Sequence, residues 1–266
     1  VNTGASVDGR PRLLEVDALD VHLGTPRRHI LKGVGLAVAA GETVGLVGES
    51  GSGKSTLAKT LVGVHRPTSG SIHFDGRDCL RAGSKDRARL RREIQYIPQD
   101  PYSSLDPRRT IGETIAEALD PRRARVSRHR RRILELLELV RIDGSSLDRR
   151  PSEFSGGQRQ RIAIARALAV EPSLIVADEI TSALDLSTQA EVLNLLADLK
   201  RSIGLTLIFV SHDLAVVRSI SDSVLVLLHG EVVESGSARE IFDTPTAPYA
   251  RMLIDSAPGG PGFSLD

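Results

Sequence analysis

Gly48-Glu49-Ser50-Gly51-Ser52-Gly53-Lys54-Ser55 fits the pattern GxxxxGK[ST] in full. Each residue type in it has a task in holding a polyphosphate. Glycines let the backbone curl until successive N–H groups converge on phosphate oxygens, and a following helix N-terminus adds positive potential. Lys54 supplies a full charge to the β and γ phosphates. Ser55 offers a hydroxyl to Mg2+, an ion that keeps most of its octahedral shell as water and phosphate oxygen. Far downstream, Leu174-Ile175-Val176-Ala177-Asp178-Glu179 is an apolar run that delivers two carboxylates at its end. Taken alone such a run is more often structural. Behind a phosphate loop, at the carboxyl end of a parallel strand, Asp178 is expected to steady the Mg2+ shell and Glu179 to polarise an attacking water.

These residues need elements to position them. Leu13 to Val21 and Val34-x-Leu36-x-Val38 read as early strands. Thr43 to Val47 is a short apolar run into the glycine loop, and Leu57, Leu61 and Val64 then recur at helical spacing. Strand, glycine loop, helix is the order a phosphate site requires. Ser71 to Phe74 before Asp75-Gly76 predicts half a hairpin. From about Asp100 to Ser155 apolar strands vanish, Pro101, Pro107, Pro121 and Pro151 punctuate the chain, and Ile133, Leu136, Leu137 and Val140 mark an amphipathic helix. That stretch predicts a helical insertion. Leu174 to Ala177 and Leu205 to Val210 follow as buried strands, separated by a helix whose face is Val192, Leu195, Leu196 and Leu199 and whose stop is Gly204. Strands separated by helices argue for a parallel sheet. Val224 to Leu228, His229-Gly230 and Glu231 to Glu234 read as a closing hairpin.

The bulk numbers bound the function. The 266 residues are 40% hydrophobic and 26% charged, an ordinary globular balance. Thirty-five basic against 34 acidic residues leave a net charge of +1, so no global field points to nucleic acid. Cys79 is the single cysteine, which excludes internal disulfides and multi-cysteine metal sites and fits a reducing compartment. No run approaches the roughly 20 apolar residues of a membrane span. Val1 to Pro11 is polar, with no apolar signal core, so the expectation is a cytoplasmic, soluble chain. Arg122, Arg123, Arg125, Arg128, Arg130, Arg131 and Arg132 form a basic run. A solvated helix face is its first reading, and a contact with anionic lipid headgroups is the sharper one.

Phe154-Ser155-Gly156-Gly157-Gln158 resembles the LSGGQ signature of ABC ATPases, with Phe in the first position, and opens a helix carrying Arg159, Arg161, Ile162, Ile164 and Leu168. Serine and paired glycines at a helix start make a second anion site. The resemblance supplies its ligand, the γ-phosphate on a partner subunit's loop, in a head-to-tail sandwich of two nucleotide-binding subunits, identical or paralogous. Ser182-Ala183-Leu184-Asp185 resembles the D-loop at the seam of that sandwich. His212, just after the strand ending at Val210, matches the switch histidine, and Gln99, after Ile94 to Ile97, matches the Q-loop glutamine that touches Mg2+ and senses the membrane partner. The resemblance thus implies ATP and Mg2+. ATP would be held by Gly48, Glu49, Ser50, Gly51, Ser52, Gly53, Lys54, Ser55 and Thr56. The metal would fall to Ser55, Gln99 and Asp178, catalysis to Glu179 and His212, and the partner's ATP to Ser155, Gly156, Gly157 and Gln158, with Asp185 beside the seam.

The resemblance covers about residues 13 to 255. It implies an α/β fold, a phosphate-loop NTPase core of mostly parallel sheet with flanking helices, plus an antiparallel β portion and an inserted α-helical subdomain. The chain is read as a single domain over 1–266: the core and antiparallel portion at about 12–99 and 166–240, the helical subdomain at about 100–165, and a tail at about 241–266. Pro98-Gln99-Asp100-Pro101-Tyr102-Ser103-Ser104-Leu105-Asp106-Pro107-Arg108 and Thr244-Pro245-Thr246-Ala247-Pro248-Tyr249-Ala250-Arg251-Met252-Leu253 resemble the oligopeptide, dipeptide and nickel importer subfamily. That branch implies two integral membrane permease subunits, an extracytoplasmic solute-binding protein and a peripheral place on the cytoplasmic face of the membrane. The alternative is an ABC ATPase attached to a soluble assembly, such as the subfamily's lyase-associated relatives. Three departures from the family pattern stand out. Leu23 occupies the position of the usual aromatic ring under adenine, so that stacking is weak or His22 or His29 substitutes. Ile180 stands where proline is common, which predicts a looser turn. The C-terminal cysteine cluster of some members is missing.

Overall fold

The computed structural model describes residues 11–100 and 104–256. The polar stretch 1–10, Pro101, Tyr102 and Ser103 of the Q-loop match, and tail residues 257–266 lie outside the described residues. In chain order the strands are β1 (Arg12–Leu23), β2 (Arg28–Ala39), β3 (Thr43–Val47), β4 (Ser69–Phe74), β5 (Arg77–Asp78), β6 (Ile94–Ile97), β7 (Leu174–Asp178), β8 (Thr206–Val210), β9 (Ser223–Leu228) and β10 (Glu231–Ser237). The helices are α1 (Lys54–Leu61), α2 (Ser84–Glu93), α3 (Ile111–Leu119), α4 (Val126–Leu139), α5 (Gly156–Leu168), α6 (Leu186–Ile203), α7 (Leu214–Ile220), α8 (Ala238–Asp243) and α9 (Pro248–Asp255).

The strands form two sheets. One is four-stranded and antiparallel in the order β2-β1-β4-β5; the other has the order β10-β9-β3-β8-β7-β6. In the second, β6, β7, β8, β3 and β9 run parallel, and β10 turns back antiparallel at the edge. This is the α/β architecture read from the sequence. Burial explains the pairing. Leu14, Val16, Leu19 and Val21 of β1 are buried while Glu15 and Asp17 face solvent, the mark of a half-covered antiparallel strand. β3, β7 and β8 are buried at every position, as strands covered on both faces must be.

The six-stranded sheet divides the interior into two cores. On β7, Leu174 and Val176 join the core beneath the antiparallel sheet, whereas Ile175 and Ala177 join the larger core on the helical side. Ile111 and Ile115 of α3, Ile133, Leu136 and Leu137 of α4, and Ile162 of α5 fill that larger core. These three helices all lie in the connection between β6 and β7, which are themselves adjacent and parallel. The helical insertion is therefore one enlarged crossover. The basic run lies just before and along the first half of α4, where Arg131 and Arg132 pair with Glu135, and Arg132 also with Glu171.

Two differences from the sequence reading have physical causes. β1 and β2 are each 12 residues long, because bulges keep them paired past the interruptions in their apolar alternation. α2 leaves no amphipathic signal in the sequence, because Leu90 is its sole buried residue. Among the described residues no helix is long and apolar enough to cross a membrane.

Candidate functional site

The phosphate loop leaves the fully buried β3 and enters α1. Gly48 (φ 145°) has no room for a side chain: a Cβ would sit 2.1 Å from the Leu227 carbonyl oxygen. Gly53 (φ 109°) is the N-cap of α1, and no side chain caps that end, which leaves the first-turn amides turned to the loop. The loop is braced from the β9–β10 turn, where Gly230 N–H donates to the Ser52 carbonyl at 2.9 Å. Lys54 is 5% exposed, and its ammonium donates to the carbonyls of Gly48 and Glu49, each at 2.7 Å. Burial pushes its pKa below the ordinary lysine value, against the pull of Glu179, Asp178 and Glu49. Ser50 and Gly51 sit exposed at the loop tip, and Thr56 lies partly covered in α1.

Asp178 meets this loop from the end of β7. One of its oxygens accepts the Ser55 hydroxyl at 3.0 Å, and the other accepts the Tyr96 hydroxyl at 2.8 Å. Nothing in the sequence pattern marks Tyr96 as a site residue. Its place on β6, paired with Val176 beside Asp178's strand, brings the phenol there. Burial, and then the bond to Asp178, raise the phenol's pKa. Among the described residues no group of three or more His, Cys, Asp or Glu is placed to hold a metal ion. The donors beside the loop are a hydroxyl and a carboxylate, hard oxygens that suit a small cation sharing its shell with phosphate.

Glu179 follows in a left-handed backbone conformation (φ 50°), its N–H donating to the Val210 carbonyl at 2.9 Å. Its carboxylate accepts the Gln99 side-chain amide at 3.0 Å and lies 3.5 Å from His212 Nδ1. Segments following β6, β7 and β8 therefore converge on one carboxylate. Gln99 is here engaged with Glu179 and, at 3.5 Å, with Ser182. The turn after Glu179 is not loose. Ile180 is 2% exposed in the larger core, and the Ser182 hydroxyl donates to the Glu179 carbonyl at 2.9 Å.

Ser155 opens α5 with a capping box: its hydroxyl accepts Gln158 N–H at 3.2 Å, and the Gln158 side chain accepts Ser155 N–H at 2.9 Å. Phe154 ahead of it is buried, with the Arg149 guanidinium 4.5 Å above its ring. Asp185 caps α6 by accepting Thr188 N–H at 2.9 Å, the Thr188 hydroxyl at 2.8 Å and the Ser187 hydroxyl at 2.6 Å. Those bonds, the Ser187 one foremost, hold its carboxyl well below the usual carboxylate range. The two caps abut: a Cβ on Gly156 would lie 3.4 Å from Leu184, and one on Gly157 would lie 2.0 Å from the Thr188 methyl. His22 and His29 stack on each other, 4.2 Å between centroids and 9° from parallel. Their nitrogens are engaged by Thr68 and Asp20, and Leu23 packs against the smaller core.

Residues 31–182 match the profile of the family described as ABC transporter. A peptide import ATP-binding protein of Brucella ovis is 47% identical over 249 residues, covering 92% of this chain and 78% of that protein. The chain belongs to the ABC transporter family. This ABC ATPase is also 44% identical, over 254 residues, to the oligopeptide transport ATP-binding protein OppF of Bacillus subtilis, covering 93% of the chain and 83% of OppF. Among solved structures the ABC ATPase matches cbiO1 from Clostridium perfringens, part of the transporter complex cbiONQ, with TM-score 0.79, 28% identity and coverage of 92% and 94%. It also matches a dimeric ATP-binding cassette bound to ADP and Pi, with TM-score 0.75, 31% identity and coverage of 85% and 99%. The ABC ATPase binds and hydrolyses ATP.

Proposed function

We propose that this chain is the nucleotide-binding subunit that powers a peptide importer, acting as one half of a head-to-tail pair. The observation that carries the reading is the convergence of Gln99 and His212 on Glu179, beside a phosphate loop whose Ser55 already meets Asp178. Lys54 and the amides of residues 48–56, apart from those of Glu49 and Ser52 that are bonded within the protein, hold the β and γ phosphates. Ser55 and Asp178 would hold Mg2+, with Gln99 as a further oxygen donor, and the ion would supply charge neutralisation to the phosphates. Glu179 orients the attacking water and takes its proton, while His212 faces the γ-phosphate. Ser155, Gly156, Gly157 and Gln158 close over the ATP of the second subunit, and Asp185 lines the seam.

The import role rests on the names of the peptide and oligopeptide relatives. On that reading two permease subunits and an extracytoplasmic solute-binding protein complete the system, and the chain sits peripherally on the cytoplasmic face of the membrane, without nucleic acid. Glu179→Gln is the test. Hydrolysis should fall by about 100-fold or more while ATP binding persists, and the mass in solution should double with ATP. Unimpaired turnover by this variant would overturn the assignment of Glu179; binding without dimerisation would point to a paralogous partner.

A further inference from the structure

Helix α9 has no part in the mechanism above, yet it reaches the phosphate loop. The Tyr249 ring packs against the larger core, and its hydroxyl accepts the Glu49 N–H at 3.0 Å. That N–H belongs to the same peptide unit as the Gly48 carbonyl, which holds the Lys54 ammonium at 2.7 Å. A trans peptide is rigid and planar, and its C=O and N–H point in opposite directions. Fixing one end of the unit therefore fixes the other.

The helix that carries Tyr249 is itself anchored. On β10, the Glu234 carboxylate accepts Thr246 N–H and the Thr246 hydroxyl, both at 2.7 Å, and Ala247 N–H at 2.9 Å. Arg251 Nε adds a bond to the Pro245 carbonyl at 2.8 Å. β10 pairs with β9, and β9 pairs with β3, the strand that delivers the loop. The path from β3 through β9, β10 and α9 back to Glu49 is a closed frame around the start of the loop.

We propose that Tyr249 is a positioning residue that sets the Gly48–Glu49 peptide plane and, through the Gly48 carbonyl, places the Lys54 ammonium for the nucleotide's phosphates. The proposal rests on the reading of Lys54 as a phosphate ligand. Without the phenol, Glu49 N–H turns to water and the Gly48–Glu49 peptide loses a fixed partner, so of Lys54's two carbonyl contacts only the one to Glu49 keeps its place and the nucleotide must supply the rest of the ordering. One hydrogen bond of this kind corresponds to about a 3- to 10-fold change in an equilibrium constant.

The test compares Tyr249→Phe, Tyr249→Ala and the wild type as full chains. Binding of ATP, ADP and AMP, steady-state hydrolysis, melting temperature and amide exchange at Glu49 are measured. The expected result for Tyr249→Phe is ATP and ADP affinity about 3- to 10-fold weaker, a matching rise in KM, kcat within about twofold and an unchanged melting temperature. AMP affinity should not move, and Glu49 exchange should quicken. Wild-type affinity and exchange in Tyr249→Phe, with loss only in Tyr249→Ala, would reduce Tyr249 to ring packing and overturn the proposal. Failure of the wild type to bind ATP would instead sink the phosphate-loop reading beneath it.

Discussion

The abutting caps of α5 and α6 make Gly157 a position where one added methyl should be felt. In Gly157→Ala the new Cβ would stand 2.0 Å from the Thr188 methyl. Thr188 cannot simply swing away, because its N–H and hydroxyl are both bonded to Asp185. Overpacking of this sort costs typically about 1–3 kcal/mol. Replacing glycine by alanine in a helix returns up to about 1 kcal/mol, less in a first turn. The net expectation is a loss of about 1–2 kcal/mol, or roughly 2–6 °C in melting temperature for a chain of this size. The decisive assay is a double-mutant cycle with Thr188→Ser, which keeps the hydroxyl for Asp185 and removes the offending methyl. In the T188S background Gly157→Ala should cost less than about 0.5 kcal/mol, since the clash is gone and the helix preference remains. A G157A chain that melts like the wild type, or a cost that T188S does not relieve, would refute the steric argument.

Two further outcomes follow from the site geometry. Tyr96→Phe removes a donor from Asp178, so the Mg2+ midpoint for ATP hydrolysis should rise about 3- to 10-fold with little change in melting temperature; an unmoved midpoint in a Mg2+ titration would rule this out. Asp185 has a native pKa below its unfolded value, so its contribution to stability is complete above the unfolded value of about 4 and is lost as pH falls from there toward the native one. The gap in melting temperature between the wild type and Asp185→Asn should therefore stay level from pH 7 to about 5 and narrow below about 4, as a pH series of thermal melts would reveal.

What could be read from the sequence was what neighbouring residues encode together. Gly48 to Ser55 and Leu174 to Glu179 declare themselves because their chemistry and their flanking periodicity lie in one short window. The helix face of Val192, Leu195, Leu196 and Leu199, all buried, is legible for the same reason. Contacts between distant segments were not. Tyr96 looks like any strand aromatic until β6 docks on β7 and points its phenol at Asp178. The bond between Tyr249 and Glu49 joins residues 200 apart in the chain, and no periodicity reports it. The His22–His29 stack depends on the register of β1 against β2, which bulges displace from simple alternation. Ile180 misled because the family pattern suggests backbone stiffness at that place, whereas here burial in the core closes the turn.

The strand order carries a consequence for how the chain comes to be folded. β3, which bears the phosphate loop, lies between β8 and β9, both drawn from the C-terminal part of the chain. During synthesis the loop emerges long before either of its lateral neighbours, with everything from α1 to α6 made in between. The entropy of closing so long a span is met before those pairings reward it. Until then the apolar β3 must wait unpaired, a state that invites association with other nascent chains. The phosphate loop is thus translated before Gln99, Glu179 and His212, and its strand gains both neighbours only once β9 has been made.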